Sequence, residues 1–267
     1  MKTQLLAIDL DGTLLTRDKQ IPTKAVEAIE RARAAEVAVV LASGRIRPSM
    51  RKFSDQLDLS RGPMISGNGT HVSLEPTRDL LQEPLLPRGL EIISAYAVSN
   101  DIHLNIYTPT RLFFLKETPW GELYRERVET VVPEIYAGSL GEENCLKALI
   151  VDSPEKMTSH TQNLLAELAG LNIRATESEP EYLEFMSSTA SKGSALVALA
   201  QALEVPIEAT AAIGDYLNDL EMIQVAGISA AVSNAHPLVK DTANVVVSSN
   251  EEAGVAEFID EFVLKLT

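Results

Sequence analysis

Along the first third of the chain, short apolar runs alternate with amphipathic stretches. Residues 5–8, 37–42 and 64–66 read as buried strands. Between the first two, Ala25, Ala28, Ile29 and Ala32 recur at helical spacing in a segment from about 22 to 36 that opens at Pro22, and a second helix follows Pro48. Such alternation predicts βαβ units and a parallel sheet. The rhythm resumes with a helix over 192–203, a strand over 210–213, a helix around 220–226, strands over 228–232 and 244–247, and a final helix through 252–264. Between them the pattern changes. Pro84 and Pro87 punctuate the chain, 103–108 and 112–116 read as neighbouring strands, and helices with further strands at 146–151 and 182–186 follow, with Met157, Leu183 and Met186 as core. The expected fold class is α/β: a doubly wound parallel-sheet, Rossmann-like core from residues 1–83 and 187–267, interrupted by an inserted α+β cap domain over 84–186.

Composition narrows the function classes. A chain of 267 residues, 45% hydrophobic and 23% charged, suits one large or two ordinary globular domains. Its 23 basic against 38 acidic residues give a net charge of −15, which repels a phosphate backbone, so neither nucleic acid nor anionic membrane is an expected partner. The single Cys145 excludes an intrachain disulfide and a cysteine zinc cluster and is compatible with a reducing cytoplasm. Apolar residues 5–8 are too few for a signal peptide's apolar region of about 7–15, and no apolar run approaches the ~18–20 residues of a membrane span. A cytoplasmic monomer or small homo-oligomer is expected.

The candidate chemistry gathers at strand ends. Asp9-Leu10-Asp11-Gly12-Thr13 follows the first strand directly. Residues two apart on an extended chain face the same side, and Gly12 allows a sharp turn, although a plain Asp/Gly turn would look the same in isolation. Ser43-Gly44-Arg45 sets a hydroxyl and backbone amides at a second strand end, where phosphate is favoured. Asn68-Gly69 follows the third strand, where it is equally a tight-turn signal. Ser191-Lys192-Gly193 opens a helix whose positive end disfavours a cation, so Lys192 needs an anion nearby or is a solvated surface lysine. Gly214-Asp215-Tyr216-Leu217-Asn218-Asp219 adds carboxylates and an amide, with a helix N-cap as the alternative role for Asn218 or Asp219. If Asp9, Asp11, Asp215 and Asp219 converge, each like-charge pair at 4 Å costs about 4 kcal/mol at an effective dielectric of 20. A magnesium ion would relieve that repulsion and attract a phosphate dianion, so metal-assisted phosphoryl chemistry leads.

Taken in order, Asp9-x-Asp11-Gly12-Thr13, Ser43-Gly44-Arg45, Lys192-Gly193 and Gly214-Asp215-x-x-Asn218-Asp219 resemble the four motifs of the haloacid dehalogenase superfamily of phosphatases. The large insertion, the Asn68-Gly69 turn and the tail from Val232-Ser233-Asn234-Ala235 through residues 250–255 resemble its Cof-like sugar-phosphatase subfamily, whose cap lies between the second and third motifs. That resemblance implies Asp9 as nucleophile and Asp11 as general acid and base. It implies magnesium held by Asp9, the Asp11 carbonyl and Asp215, with Asp219 acting directly or through water. Ser43, Gly44, Lys192 and Asn218 would bind the phosphoryl oxygens of a small phosphorylated metabolite, and Gly12, Thr13 and Arg45 would support the loops. Tyr216 departs from the subfamily's usual small polar residue; it either narrows the leaving-group pocket or packs on the adjacent loop.

Within the cap, Asn105, Tyr107, Arg111 and Glu184 are candidate substrate contacts or ordinary strand residues. His71, His103, His160 and His236 show no ligand spacing and are expected in surface or capping roles. Two other classes remain open: a phospho-acceptor signalling module, which would need no cap of this size, and a phosphomutase or catalytically silent binding protein on the same fold.

Overall fold

The computed structural model describes residues 2–127, 131–138 and 144–265. Its strands, in chain order, are β1 (Leu5–Asp9), β2 (Ala38–Ala42), β3 (Met64–Ser66), β4 (His71–Glu75), β5 (Arg78–Gln82), β6 (His103–Tyr107), β7 (Leu112–Phe114), β8 (Glu134–Ile135), β9 (Lys147–Val151), β10 (Ile173–Glu179), β11 (Tyr182–Ser187), β12 (Thr210–Gly214), β13 (Ile228–Val232) and β14 (Val245–Val247). The chain divides into two compact units. One comprises residues 1–44, 51–81 and 191–267, and the other 45–50 and 82–190.

An eight-stranded sheet runs in the order β14-β13-β12-β1-β2-β3-β4-β5. Pairing is parallel from β14 through β3 and turns antiparallel at β4. All five residues of β1 are buried, as a central parallel strand covered on both faces requires. Leu5 and Ala7 pack with Val40, Ile65 and Ala212 against Ala195, Leu196 and Leu199 of the helix Lys192–Ala202. The helix Thr23–Ala34 buries the expected Ala25, Ala28, Ile29 and Ala32. The β4 and β5 strands extend the parallel sheet at an edge where the sequence pattern marks no strand.

The C-terminal segment is not one helix. A 3-10 turn (Asn250–Glu252) leads through Ala253, in the left-handed region at φ 61°, to an α-helical turn (Gly254–Phe258) and a wider π turn (Ile259–Val263). Asn250 explains the break: its amide donates to Asn234 Oδ1 at 3.0 Å and its side chain to the Leu15 carbonyl at 2.8 Å. Those bonds fix the start of the segment, so the chain must bend before it can resume a helix.

The second unit holds a sheet ordered β10-β11-β9-β6-β7-β8, antiparallel except between β7 and β8. Alternate residues face opposite sides. Leu104, Ile106, Ala148, Ile150, Leu183 and Phe185 share an apolar cluster with Leu90, Ile93, Met157 and Leu164 of the helices Pro87–Ser99 and Pro154–Glu167. The other face carries Tyr107, Phe114, Leu149 and Tyr182, against which Ile46 and Tyr124 pack. Among these lies a buried ion pair, Lys147 to Glu184 at 2.7 Å. The candidate contacts Asn105, Tyr107 and Glu184 are buried in this network, and Arg111 pairs with Glu134 at 2.7 Å.

Three histidines correct the surface expectation. His71, His103 and His160 are buried, hydrogen-bonded respectively with Asp79 (2.8 Å), with Asn105 and Thr118 (2.8 and 2.7 Å), and with Asp152 and Tyr96 (3.1 and 3.0 Å). Only His236 takes the capping role, accepting from the Leu238 amide at 3.2 Å.

Candidate active site

In the parallel sheet β1 lies between β12 and β2, with Ile8 opposite Ile213 and Asp9 opposite Ala42. Asp9, Ser43 and Asp215 therefore stand at or just beyond the carboxyl ends of three adjacent strands. This is where the chain's direction of travel across the sheet reverses and where open α/β sheets bind ligands.

The turn after β1 brings the first loop against the third of these. Gly12 has φ 83°, and a Cβ there would fall 2.3 Å from Asp215 Oδ2, so only glycine lets the backbone approach that carboxylate. Thr13 Oγ1 donates to Asp215 Oδ1 at 2.8 Å. Asn234 Nδ2 donates to the Gly12 carbonyl at 2.8 Å, tying the C-terminal tail to the same loop.

Lys192 is fully buried at the first position of its helix, with Ser191 as N-cap accepting from the Ser194 amide at 3.0 Å. A buried ammonium at the positive end of a helix needs anions. It has two: Asp9 Oδ1 at 2.5 Å and Asp219 Oδ1 at 2.6 Å. The solvated-lysine reading is thereby overturned. Asp219 Oδ2 accepts from the amides of Asp215 and Tyr216 at 3.0 and 3.2 Å, so this carboxylate orders its own loop and does not cap the following helix Leu220–Val225.

Carboxylate oxygens of Asp9, Asp215 and Asp219 lie within 4.8 Å of one another. Asp11 is not in that group: its Oδ1 accepts from Lys19 Nζ at 2.7 Å, so the anticipated convergence of four carboxylates becomes three, with the fourth in an ion pair alongside. Burial, then repulsion from Asp219, pushes the Asp9 carboxyl up to about 7 against the pull of Lys192. Burial and the charges of Asp9 and Asp219 likewise raise Asp215 well above the ordinary carboxylate range, with the Thr13 hydrogen bond opposing. For Lys192, burial is outweighed by Asp219 and Asp9, and its pKa rises. Asp9 Oδ2 is buried and makes no hydrogen bond among the described residues.

The phosphate-binding candidates form a second group. Asn68, at φ 56° between Gly67 and Gly69, donates its amide to the Ser43 carbonyl at 2.9 Å and accepts from Asn218 Nδ2 at 3.0 Å. One residue, through its backbone N–H on one side and its side-chain carbonyl on the other, thus ties the Ser43–Gly44 turn to the Asn218 loop. Gly44 lies so close that a Cβ would meet Asn68 Oδ1 at 3.1 Å. Arg45 is placed differently: it belongs to the second unit, where its charge acts on the Tyr124 phenol. Tyr216 packs edge-on against His236 with ring centroids 5.6 Å apart. The sequence pattern does not mark Lys19, and it leaves Asn68 open between a strand-end polar cluster and a tight turn, although an asparagine flanked by glycines signals the left-handed conformation that aims it inward.

The sequence profile of the haloacid dehalogenase-like hydrolases matches residues 6–259. The chain is 28% identical over 284 residues to the 5-amino-6-(5-phospho-D-ribitylamino)uracil phosphatase YwtE of Bacillus subtilis, across 97% of each chain. It is also 28% identical over 274 residues to the pyridoxal phosphate phosphatase YbhA of Escherichia coli, across 97% of this chain and 98% of that one. A crystal structure of a haloacid dehalogenase-like hydrolase from Bacteroides thetaiotaomicron aligns with a TM-score of 0.86 at 27% identity, covering 97% of this chain and 99% of that one. Strand-end carboxylates, buried lysine and inserted α+β unit therefore have one common explanation: the chain belongs to the haloacid dehalogenase-like hydrolases and is a phosphoric monoester hydrolase.

Proposed function

We propose that the protein is a magnesium-dependent phosphatase of small phosphomonoesters, sugar phosphates or phosphorylated cofactor precursors, working through an aspartyl phosphate on Asp9. The observation that carries this reading is the state of Asp9. One carboxylate oxygen is held by Lys192, and the other is buried beside two further carboxylates and makes no hydrogen bond among the described residues. Three aspartates against one lysine leave a surplus of negative charge that fits a hard divalent cation with oxygen ligands.

Asp9, Asp215 and the Asp11 carbonyl would hold magnesium. Asp219, with both oxygens already engaged, would serve through water. When bound, the ion supplies positive charge for the phosphoryl oxygens and relieves the repulsion among the carboxylates. The chain's own groups carry the steps. A carboxylate oxygen of Asp9 forms a bond to phosphorus as the ester P–O bond breaks. The proton on Asp11 passes to the departing alkoxide, which leaves as an alcohol. Water then adds to phosphorus and gives a proton to Asp11 while the Asp9–phosphorus bond breaks, and inorganic phosphate leaves. Ser43, the Gly44 amide and Asn218 receive the phosphoryl oxygens, Lys192 orients Asp9, and Gly12 and Thr13 fix Asp215.

Two relatives are named for phosphate esters joined to a nitrogen heterocycle, which supports small metabolites of that kind as substrates. The α+β unit is proposed to choose the leaving group, and the cytoplasm is the compartment proposed for such a metabolite. A phospho-acceptor signalling role gains no support from a hydrolase match that runs nearly the whole chain.

The test is phosphate release from a panel of small phosphomonoesters with magnesium, beside a chelated sample and Asp9→Asn. Release that requires both the metal and Asp9 is expected. Undiminished release after chelation would refute the metal's role, and release by the folded variant would refute the nucleophile.

A further inference from the structure

Lys19 lies eight residues beyond Asp11, yet its ammonium returns to that carboxylate. The chain after β1 winds back first, with the amides of Leu14 and Leu15 donating to the Leu10 carbonyl at 3.1 and 2.9 Å. It then reverses again over residues 16–20. The Thr16 amide donates to the Gln20 carbonyl and the Lys19 amide to the Thr16 carbonyl, both at 2.9 Å, while Thr16 Oγ1 bridges the Gln20 amide and carbonyl at 3.2 Å. This turn holds Lys19 at φ 54°, a left-handed conformation that glycine or asparagine would adopt at lower cost. A non-glycine residue kept there costs on the order of 1 kcal/mol or more, which draws attention to what its side chain does. Its ammonium sits 2.7 Å from Asp11 Oδ1, and both side chains are about one-third exposed, at 34% and 28%.

We infer that Lys19 is a positioning residue for proton transfer by Asp11, holding that carboxyl group at the mouth of the phosphoryl site. The inference rests on the reading of Asp11 as the group that protonates the leaving alkoxide. In that step the O–H bond of Asp11 breaks, its proton joins the alkoxide oxygen, and the electron pair stays on Asp11. The negative charge so formed meets a cation already in place, an interaction stronger at the transition state than in the ground state. Misplacement of a proton donor by about 1 Å is costly to the transfer. Lys19 touches neither phosphorus nor the leaving group in this scheme. Its effect therefore appears only where a proton must be delivered.

Leaving groups separate such a role from a general structural one. Alkyl phosphates need protonation as the ester bond breaks, whereas p-nitrophenolate departs without it, and kcat/KM reports the steps up to that departure. In magnesium-loaded enzyme, Lys19→Met is expected to lower kcat/KM by about 10–100-fold for alkyl phosphates and by less than about 3-fold for p-nitrophenyl phosphate. Lys19→Arg, which keeps a cation on a long stem, is expected to restore most of the loss. Lys19→Gln provides a second neutral variant, and thermal melts verify that each is folded. Equal loss on both substrates, loss on neither, or no rescue by arginine overturns the inference. Asp11→Asn measured in parallel separates the two levels. If it shows the alkyl-specific defect and Lys19→Met does not, the inference about Lys19 alone falls; if it shows none, the acid assignment of Asp11 falls and this inference with it.

Discussion

Replacing Asp9, the proposed nucleophile, should make the metal-free protein more stable. The Asp9 carboxyl is raised from 3.8 to about 7, chiefly by burial and then by Asp219. An unfolded chain ionises this group near the lower value, so between the two values the native state holds a proton that the unfolded state has released. Stability therefore declines as pH climbs from about 3.8 to about 7, and the deficit is complete above that. A rise from 3.8 to about 7 corresponds to a deficit on the order of 4 kcal/mol. Asp9→Asn removes the charge but also one of the two anions at Lys192, which returns part of the gain, so a net stabilisation of about 2 kcal/mol is expected. For a chain of this size that is about 4–8 °C in melting temperature. Calorimetry in a chelating buffer at pH 8 and pH 5 reads it directly. The variant should melt higher at pH 8, the gap should shrink by more than half at pH 5, and added magnesium should raise the wild type more than the variant. A variant that melts at or below the wild type at pH 8, or a gap independent of pH, would refute the account of the carboxylate cluster as uncompensated charge.

Two other outcomes follow from particular contacts. Gly12→Ala places a methyl group 2.3 Å from Asp215 Oδ2 at φ 83°, so a loss of at least about 100-fold in kcat and about 1–3 kcal/mol in stability is expected, measured by phosphate release and urea unfolding; near-normal kcat would show that the loop can yield. His103 has its pKa lowered to about 4 by burial, with the Asn105 bond opposing, so the unfolded state binds the extra proton first as pH falls from 6.5. The α+β unit should lose up to about 3 kcal/mol between pH 6.5 and 4, followed through the single Trp120, which packs in that unit, and His103→Gln should flatten the dependence.

The aspartates were legible because a parallel sheet does the sorting: every strand ends at the same edge, so polar clusters that follow apolar runs are brought into one row whatever their separation in the chain. Asp9, Ser43 and Asp215 needed no more than that. What stayed hidden depends on backbone conformations that residue type does not announce. Nothing in Thr16-Arg17-Asp18-Lys19-Gln20 says that the lysine turns left-handed and comes back to Asp11, and Ala253 gives no warning of the bend that splits the last helix. The buried histidines and the Lys147–Glu184 pair were equally invisible, because each polar group is reconciled with burial by a partner on another strand, helix or loop. The edge strand β5 escaped because it is largely exposed, and β4 because its buried start, His71-Val72-Ser73, carries no continuous apolar run.

The place of β1 between β2 and β12 also bears on how the molecule is made. On a ribosome adding about 5–20 residues per second, β2 follows β1 within seconds, but β12 is some 200 residues away and emerges roughly 10–40 s later. Until then the strand bearing Asp9 has one open flank, and Asp215, which directly follows β12, does not exist to meet its carboxylate. Residues 82–190, nearly contiguous in the chain, are complete before that moment and can fold as they appear. A nascent or truncated chain without β12 thus lacks part of the proposed site, and the wait leaves one apolar edge of β1 open to non-native pairing during synthesis.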